Sequence, residues 1–398
     1  MSASTGRAIR TGCAAKRSRS RRGSSGPPRS TTRSLPRGHT RRRCPRTRPS
    51  RAAPTSWGRC STPRCSRRCR ASWPGAGRWC SSTTAGTRRP PEHLLPSSPV
   101  LIAVTGGSGF VGRHVTTLLA HRGHRVRALV RRDGRRRVLD GLPVERTPGD
   151  LADPAAITAL TQGADVVVHL VGIIVEGGAA TFEAVHVEGT RRLLTAARDA
   201  GVRRFVHMSA VGARDEPRAT RYHRTKWRAE ELVRGSGLSH AIFRPSIISG
   251  PENKPIRMLA RLHRWSPLVP VFGDGRFPTQ PVWIEDVALA FALAVERPAL
   301  EGAFELGGPA ALTYEEFVRA IGRAAGHPRP LLHVPLAVAR AAAAALGVAG
   351  PLAPITADQL QMLVEGSATP ANALEPVFGI RALPFDAGLT RYLGGGRR

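Results

Sequence analysis

The chain has 398 residues, and its 61 Lys and Arg stand against 28 Asp and Glu, a formal net charge of +33. The excess is uneven: residues 1–98 hold 24 of the basic residues and one acid, Glu92. No apolar stretch reaches the roughly 20 residues needed to span a bilayer, and no signal-peptide core opens the chain, which argues against a transmembrane or secreted protein.

The first quarter is rich in Arg, Ser, Pro and Thr and poor in aliphatic residues. Such a composition buries too little apolar surface to offset the entropy of ordering, so residues 1–98 are expected to form a disordered basic tail. All six cysteines lie in it (Cys13, Cys44, Cys60, Cys65, Cys69 and Cys80). The spacing of Cys60, Cys65 and Cys69 could hold zinc, but no His completes a finger pattern and no hydrophobic framework surrounds it, so no metal site is expected. Three readings of the tail compete. It is an arm for nucleic acid or anionic lipid, an organelle transit peptide, or GC-rich sequence translated from upstream of the true start. The third is favoured, because the folded pattern begins abruptly near Val100. The rest of the chain has no cysteine, as suits a reducing cytoplasm.

From Val100 strands and helices alternate. An apolar strand, Val100–Thr105, runs into Thr105-Gly106-Gly107-Ser108-Gly109-Phe110-Val111-Gly112. Helical spacing then continues to His121. Strand, glycine-rich turn and helix in that order make a dinucleotide cradle. Gly106 permits the turn, Gly109 lets backbone approach a pyrophosphate, and Gly112 lets helix pack on strand. The phosphates would sit on unpaired N–H groups at the positive end of the helix. Strands follow at Arg125–Val130, Val144–Pro148, Asp165–Val171, Arg204–Met208 and His240–Arg244. The intervening helices are expected at Pro154–Thr161, Thr181–Ala200 and Tyr222–Gly235. This alternation predicts an α/β fold with a doubly wound parallel sheet. After Pro245 the rhythm changes. A strand is expected at Thr279–Trp283, a helix at Ile284–Val295, a strand at Ala303–Leu306 and a helix at Thr313–Gly326. Residues 99–248 therefore read as the cofactor domain. Residues 249–398 read as a smaller substrate-side lobe, with 276–310 returning to the sheet.

Arg131 and Arg132 follow the second strand. A carboxylate at that place binds the ribose 2′-hydroxyl of NAD, whereas an arginine accepts the 2′-phosphate of NADP, so NADP(H) is expected over NAD(H). Tyr222 and Lys226 stand at i and i+4, on one face of a helix. Ser209 is the hydroxyl candidate at the end of the fifth strand. Ile256–Trp265 alternates basic and apolar residues and reads either as a helix on an anionic membrane surface or as a lid over a pocket.

The spacing G-x-x-G-x-x-G, with Tyr222-x-x-x-Lys226 after the fifth strand, resembles the extended or atypical short-chain dehydrogenase/reductase superfamily. The segments V-H-V-E-G-T, S-A-V-G-A, F-R-P-S-I-I-S-G-P, V-W-I-E-D-V-A and T-A-D-Q-L-Q-M-L are similar to members related to the NADPH-binding accessory subunit of respiratory complex I. The resemblance implies a Rossmann domain in which Lys226 lowers the Tyr222 pKa and binds the nicotinamide ribose. It implies that Asp150 and Leu151 line the adenine, that Val171 and Gly172 pass under the cofactor, and that Pro245 lies on the nicotinamide side and starts the substrate loop. His169 is expected to be a packing residue. Ser209 stands one place before the superfamily's usual position, where Ala210 is found, and His186 stands where an Asn is usual. Three functions therefore stay open: an NADPH-dependent oxidoreductase acting on a carbonyl or quinone-like substrate, a non-catalytic NADPH-holding structural or assembly subunit, and a nucleotide-sugar epimerase or dehydratase. For the last, Arg257, Arg261 and Arg264 are candidate diphosphate ligands. The expected partners are a small-molecule substrate and a membrane surface or respiratory complex, with no nucleic acid for the folded part. The expected place is the cytoplasm, peripheral at the inner membrane face.

Overall fold

In the computed structural model, residues 99–131, 136–347 and 356–394 are described. The basic tail and Arg132 lie outside the described residues. In chain order the first half contains β1 (Leu101–Thr105), α1 (Phe110–His121), β2 (Arg125–Val130), β3 (Val144–Pro148), α2 (Pro154–Thr161) and β4 (Val166–His169). A π-helical stretch, Glu183–Glu188, then runs into α3 (Gly189–Asp199), followed by β5 (Arg204–Met208), α4 (Arg221–Arg234) and β6 (Ser239–Pro245). The second half contains β7 (Ile248–Ser249), α5 (Lys254–Trp265), β8 (Val269–Phe272), β9 (Pro278–Thr279), β10 (Val282–Trp283), α6 (Ile284–Glu296) and β11 (Gly302–Leu306). It ends with β12 (Leu312–Thr313), α7 (Tyr314–Ala324), β13 (Leu331–Val334), α8 (Leu336–Gly347), α9 (Ala357–Glu365) and α10 (Phe385–Leu393).

Seven strands form one sheet in the order β11-β6-β5-β4-β1-β2-β3, every neighbouring pair parallel. This is the doubly wound Rossmann-type sheet that the alternation predicts. Side chains alternate across β1. Ile102 and Val104 pack with α1 and α6 on one face. Leu101 and Ala103 pack with α2, α3 and α4 on the other. With both faces covered, β1 is buried throughout and reads as an unbroken apolar run. A separate apolar cluster joins Ile256 and Leu259 of α5, Val269 and Val271 of β8, Phe317 and Ile321 of α7, and Leu389 of α10.

Two local expectations change. Thr279–Trp283 is not one strand: β9 pairs antiparallel with β12, and β10 pairs parallel with β7. Pro281 lacks the N–H a continuous ladder needs, and the buried Gln280 amide instead donates to the Gly308 carbonyl at 2.8 Å. The helix expected from Thr181 opens with the π-helical turn, Glu183–Glu188. Pro245 is the last residue of β6, in register opposite Leu306, the last of β11, and the next amide, Ser246 N–H, donates to the Leu306 carbonyl at 2.9 Å. Among the described residues no helix is long and apolar enough to cross a membrane.

Candidate functional site

The strand order reverses between β1 and β4, and the residues singled out by sequence collect at the carboxyl ends of the strands around that point. In open α/β sheets this crevice is where ligands bind. The 106–112 loop leaves β1, Arg131 follows β2, Asp150 and Leu151 follow β3, Val171 and Gly172 follow β4, and Ser209 follows β5. Pro245 ends β6.

The loop is built by close approach. Gly106 has φ +73°, and a Cβ there would lie 3.0 Å from the backbone at Leu170 and Val171. A Cβ on Gly112 would run into the Gly106 carbonyl. Gly107 is buried, with the Thr116 hydroxyl and the Ala128 methyl where its Cβ would point. Gly109 N–H donates to the Gly106 carbonyl at 2.9 Å, and Gly109 itself is exposed. It is the N-cap of α1 and has no side-chain cap, and the first turn carries no acid. The leading amides of α1 therefore have no side-chain acceptor, which suits an anionic diphosphate. Ser108 is half-buried beside them, and Val111 is buried in the core. The Phe110 ring turns away to pack where a Gly250 Cβ would stand, 3.0 Å off. Thr105 is buried, and its hydroxyl bonds His169 Nδ1 at 2.6 Å.

Arg131 is exposed at the end of β2. The Asp150 carboxylate accepts from Ala152 N–H at 2.8 Å, making a turn before α2. Leu151 packs against Gly189, where an added Cβ would stand 2.9 Å from its Cδ1. This contact lies at the junction of the π-helical turn with α3.

Tyr222 and Lys226 lie on one face of α4, whose N-cap is Thr220. The Lys226 ammonium is 2% exposed and donates to the Met208 carbonyl at 3.0 Å. A Cβ on Gly172 would lie 2.9 Å from its Nζ, so glycine is what lets the chain after β4 pass this close. Burial pushes the ammonium down to about 8, opposed by Glu230. Tyr222 is walled by Phe182 and His186, ring centres 5.9 Å and 5.5 Å away. Burial pushes its phenol up to about 12, the reverse of the lowering expected from Lys226. The Ser209 hydroxyl is buried without a hydrogen-bond partner among the described residues, and its N–H donates to the Phe243 carbonyl at 2.7 Å.

His186 does something the sequence did not disclose. Its Nε2 accepts from Ile173 N–H at 3.1 Å, which leaves Nδ1 as the protonated nitrogen, 2.9 Å from the Thr225 hydroxyl. That hydroxyl donates in turn to the Tyr222 carbonyl at 3.0 Å. The chain after β4 is thereby tied to the first turn of α4. Burial, reinforced by Lys226, pushes the imidazole down to about 2. His169 is a packing residue, held by the Thr105 and Thr190 hydroxyls. Arg244 turns its guanidinium onto Glu230, with two hydrogen bonds of 2.8 and 2.7 Å, and so ties β6 to α4. Next to Tyr222, His223 Nδ1 lies 3.1 Å from Glu365 at the end of α9. No spacing rule could pair residues so far apart in sequence.

Comparison with known proteins agrees with this architecture. A family model described as "NAD dependent epimerase/dehydratase family" matches residues 102–307, more than half of the chain. Ceramide reductase of Caulobacter vibrioides is 34% identical over 237 residues, covering 59% of this chain and 74% of that protein. NADH dehydrogenase [ubiquinone] 1 alpha subcomplex subunit 9 of Rattus norvegicus is 32% identical over 225 residues, covering 53% of this chain and 58% of that protein. UDP-glucose 4-epimerase of Thermus thermophilus, solved with NAD, superposes with a TM-score of 0.58 at 23% identity over 74% of this chain and 99% of that one, a likeness of fold. With the family match running from the first strand to the residue after β11, the chain belongs to the NAD dependent epimerase/dehydratase family, the extended branch of the short-chain dehydrogenases/reductases.

Proposed function

We propose that the protein is an NAD(P)H-dependent oxidoreductase that reduces a carbonyl or quinone-like group. The observation that carries this reading is the Tyr222–Lys226 pair on α4, with the Lys226 ammonium buried between Gly172 and the Met208 carbonyl at the mouth of the sheet. The uncapped α1 terminus and Gly106–Gly112 would hold the diphosphate, and Lys226 would hold the ribose. The nicotinamide, when bound, supplies the hydride. Tyr222 supplies the proton. A phenol pushed up to about 12 is protonated at neutral pH, so Tyr222 carries a proton to donate. Ser209 would polarise the substrate oxygen. Arg131 at the end of β2 favours NADP(H) over NAD(H) by accepting a 2′-phosphate. The likeness to a ceramide reductase favours a lipophilic substrate, bound by residues 249–398 as a substrate-side lobe. We place the protein in the cytoplasm.

A second reading has its own support. The unpartnered Ser209 hydroxyl and the absence of a hydrogen bond between it and Tyr222 favour a cofactor-holding subunit, as does the likeness to a respiratory-complex subunit. Association with such a complex would then be the function. The sugar-nucleotide alternative is weaker: Arg257, Arg261 and Arg264 stand exposed on α5.

Calorimetry with NADPH and NADH, followed by turnover assays of Tyr222→Phe, separates the readings. The enzyme reading expects intact coenzyme binding and turnover lower by about 100-fold or more. The subunit reading expects no turnover in the parent protein and a lower melting temperature once nucleotide is stripped. Absence of heat with both coenzymes overturns both.

A further inference from the structure

The outer face of α5 has no place in the dinucleotide site. Its inner face is anchored: Ile256, Leu259 and His263 are buried. His263 Nε2 lies 3.0 Å from the Val318 carbonyl, and its ring fills the space beside Gly322 of α7. A lid would turn its apolar residues toward a pocket. Here Met258 and Trp265, two helical turns apart on the outer face, are 45% and 78% exposed. Arg261 lies between them along the same stripe, flanked by Arg257 and Arg264, and all three are exposed. The Arg264 guanidinium stacks 5.3 Å from the Trp265 ring.

The apolar surface continues past the helix. Ser266 Oγ donates to the Leu268 carbonyl at 2.6 Å, which folds the chain directly into β8. β8 pairs in parallel with β13, Pro270 opposite Leu332. Leu268, just before β8, is 43% exposed. Residues 253–272 and 327–345 contain no Asp or Glu. Among the described residues no carboxylate pairs with Lys254, Arg257, Arg261 or Arg264. The nearby Glu315 is bound to Arg319 at 2.7 Å and to His333 at 3.3 Å.

We propose that the outer face of α5, Met258 and Trp265 interspersed with Arg257, Arg261 and Arg264 and followed by Leu268, docks on an anionic lipid bilayer. An exposed indole prefers the headgroup boundary, where its ring is buried and its N–H stays hydrated. Arginines beside it draw the face to a negatively charged leaflet and can extend to the phosphates while their stems lie on the apolar surface. A protein partner of matching shape would need acidic side chains set against each arginine. A bilayer needs only charge and an apolar boundary, which is what exposed arginines interspersed with exposed apolar side chains offer. The proposal does not depend on the dinucleotide reading, since none of these residues lies at the carboxyl edge of the sheet.

The test must separate this face from residues 1–98, whose charge alone attracts anionic vesicles. Amide hydrogen exchange of the full chain, with phosphatidylglycerol-containing vesicles and with pure phosphatidylcholine vesicles, reads each segment by itself. The expected result is protection at 257–268 with the anionic vesicles only, and its absence overturns the proposal. Each arginine contributes about fivefold to affinity at low salt. The triple variant Arg257→Gln/Arg261→Gln/Arg264→Gln and the separate variant Trp265→Ser should each lose this protection and keep whatever the first 98 residues contribute. Protection confined to 1–98 overturns the proposal, as does protection that survives the triple variant. Protection that grows with protein concentration in the absence of vesicles also overturns it and assigns the face to self-association. NADPH binding measured on the same samples reports separately on the dinucleotide site.

Discussion

At the scale of single residues the site is dominated by buried bases that stay neutral. His169 and His186 are pushed down to about 3 and about 2, and His207 falls well below its ordinary range, each mainly by burial and then by neighbouring cations. His207 has no hydrogen-bond partner on either ring nitrogen. Above pH 6.5 these rings are neutral in both the folded and the unfolded chain and contribute no pH dependence. Below it the unfolded chain takes up protons that the folded chain refuses, so stability falls as pH drops from about 6.5 toward 3. Each such proton steepens the fall by about 1.4 kcal/mol per pH unit. His186→Asn removes one of them. Urea unfolding between pH 7 and 4 should therefore show a flatter profile for this variant by about that slope, and an unchanged slope would mean that His186 is charged in the fold. The variant also removes an acceptor for Ile173 N–H unless the amide oxygen replaces it. The Tyr222–Lys226 pair was legible in the sequence because an i, i+4 spacing is a helix-face statement. The His186–Thr225 link and the Glu230–Arg244 lock were not, because neither has a local spacing to betray it.

At the scale of elements, the cradle rests on how closely α1 approaches the turn that precedes it. Gly112 is the tightest point, since its Cβ would occupy the place of the Gly106 carbonyl. Gly112→Ala must either push α1 off β1 or flatten the turn. Overpacking of this kind costs about 1–3 kcal/mol in stability. Because the same shift moves the leading amides, NAD(P)H affinity should fall at least about tenfold, or about 1.4 kcal/mol. Denaturant unfolding together with calorimetry checks both, and a variant with parental coenzyme affinity would place the diphosphate elsewhere. The glycine spacing and the apolar run of β1 make this element legible in the sequence. Two other elements escaped for physical reasons. The π-helical turn at Glu183–Glu188 leaves no trace in the pattern, because the buried His186 and Thr190 stand at i and i+4, as they would on an ordinary α-helix. The Gln280-Pro281 break between β9 and β10 depends on hydrogen bonds from Gln280 to Gly308 and Thr369, both distant in sequence.

At the scale of the molecule, the sheet has two edges with different tasks. Its carboxyl edge carries the cradle, while at its amino edge Arg204 ties the returning chain to the sheet. Arg204, the first residue of β5, is 3% exposed. Its guanidinium donates to the Ala294 carbonyl at the end of α6, to Pro298 and Leu300 in the loop before β11, and to the Ser239 hydroxyl at the start of β6. An arginine beginning an otherwise apolar strand reads in the sequence as a solvated strand end. Only the fold reveals that the 294–300 loop, ninety residues on, closes over it. Arg204→Met keeps the stem but strands three carbonyls, each worth about 1 kcal/mol or more when left without a donor. The expected loss is about 3 kcal/mol of unfolding free energy, seen as an earlier urea midpoint, with β11 the first strand to lose amide protection. The charge sits at the far end of β5 from Ser209, so the variant that stays folded should bind NAD(P)H within about twofold of the parent protein. If affinity falls in step with stability instead, the two edges act as one unit, and the seating of β11 beside β6 would be part of how the coenzyme crevice is shaped.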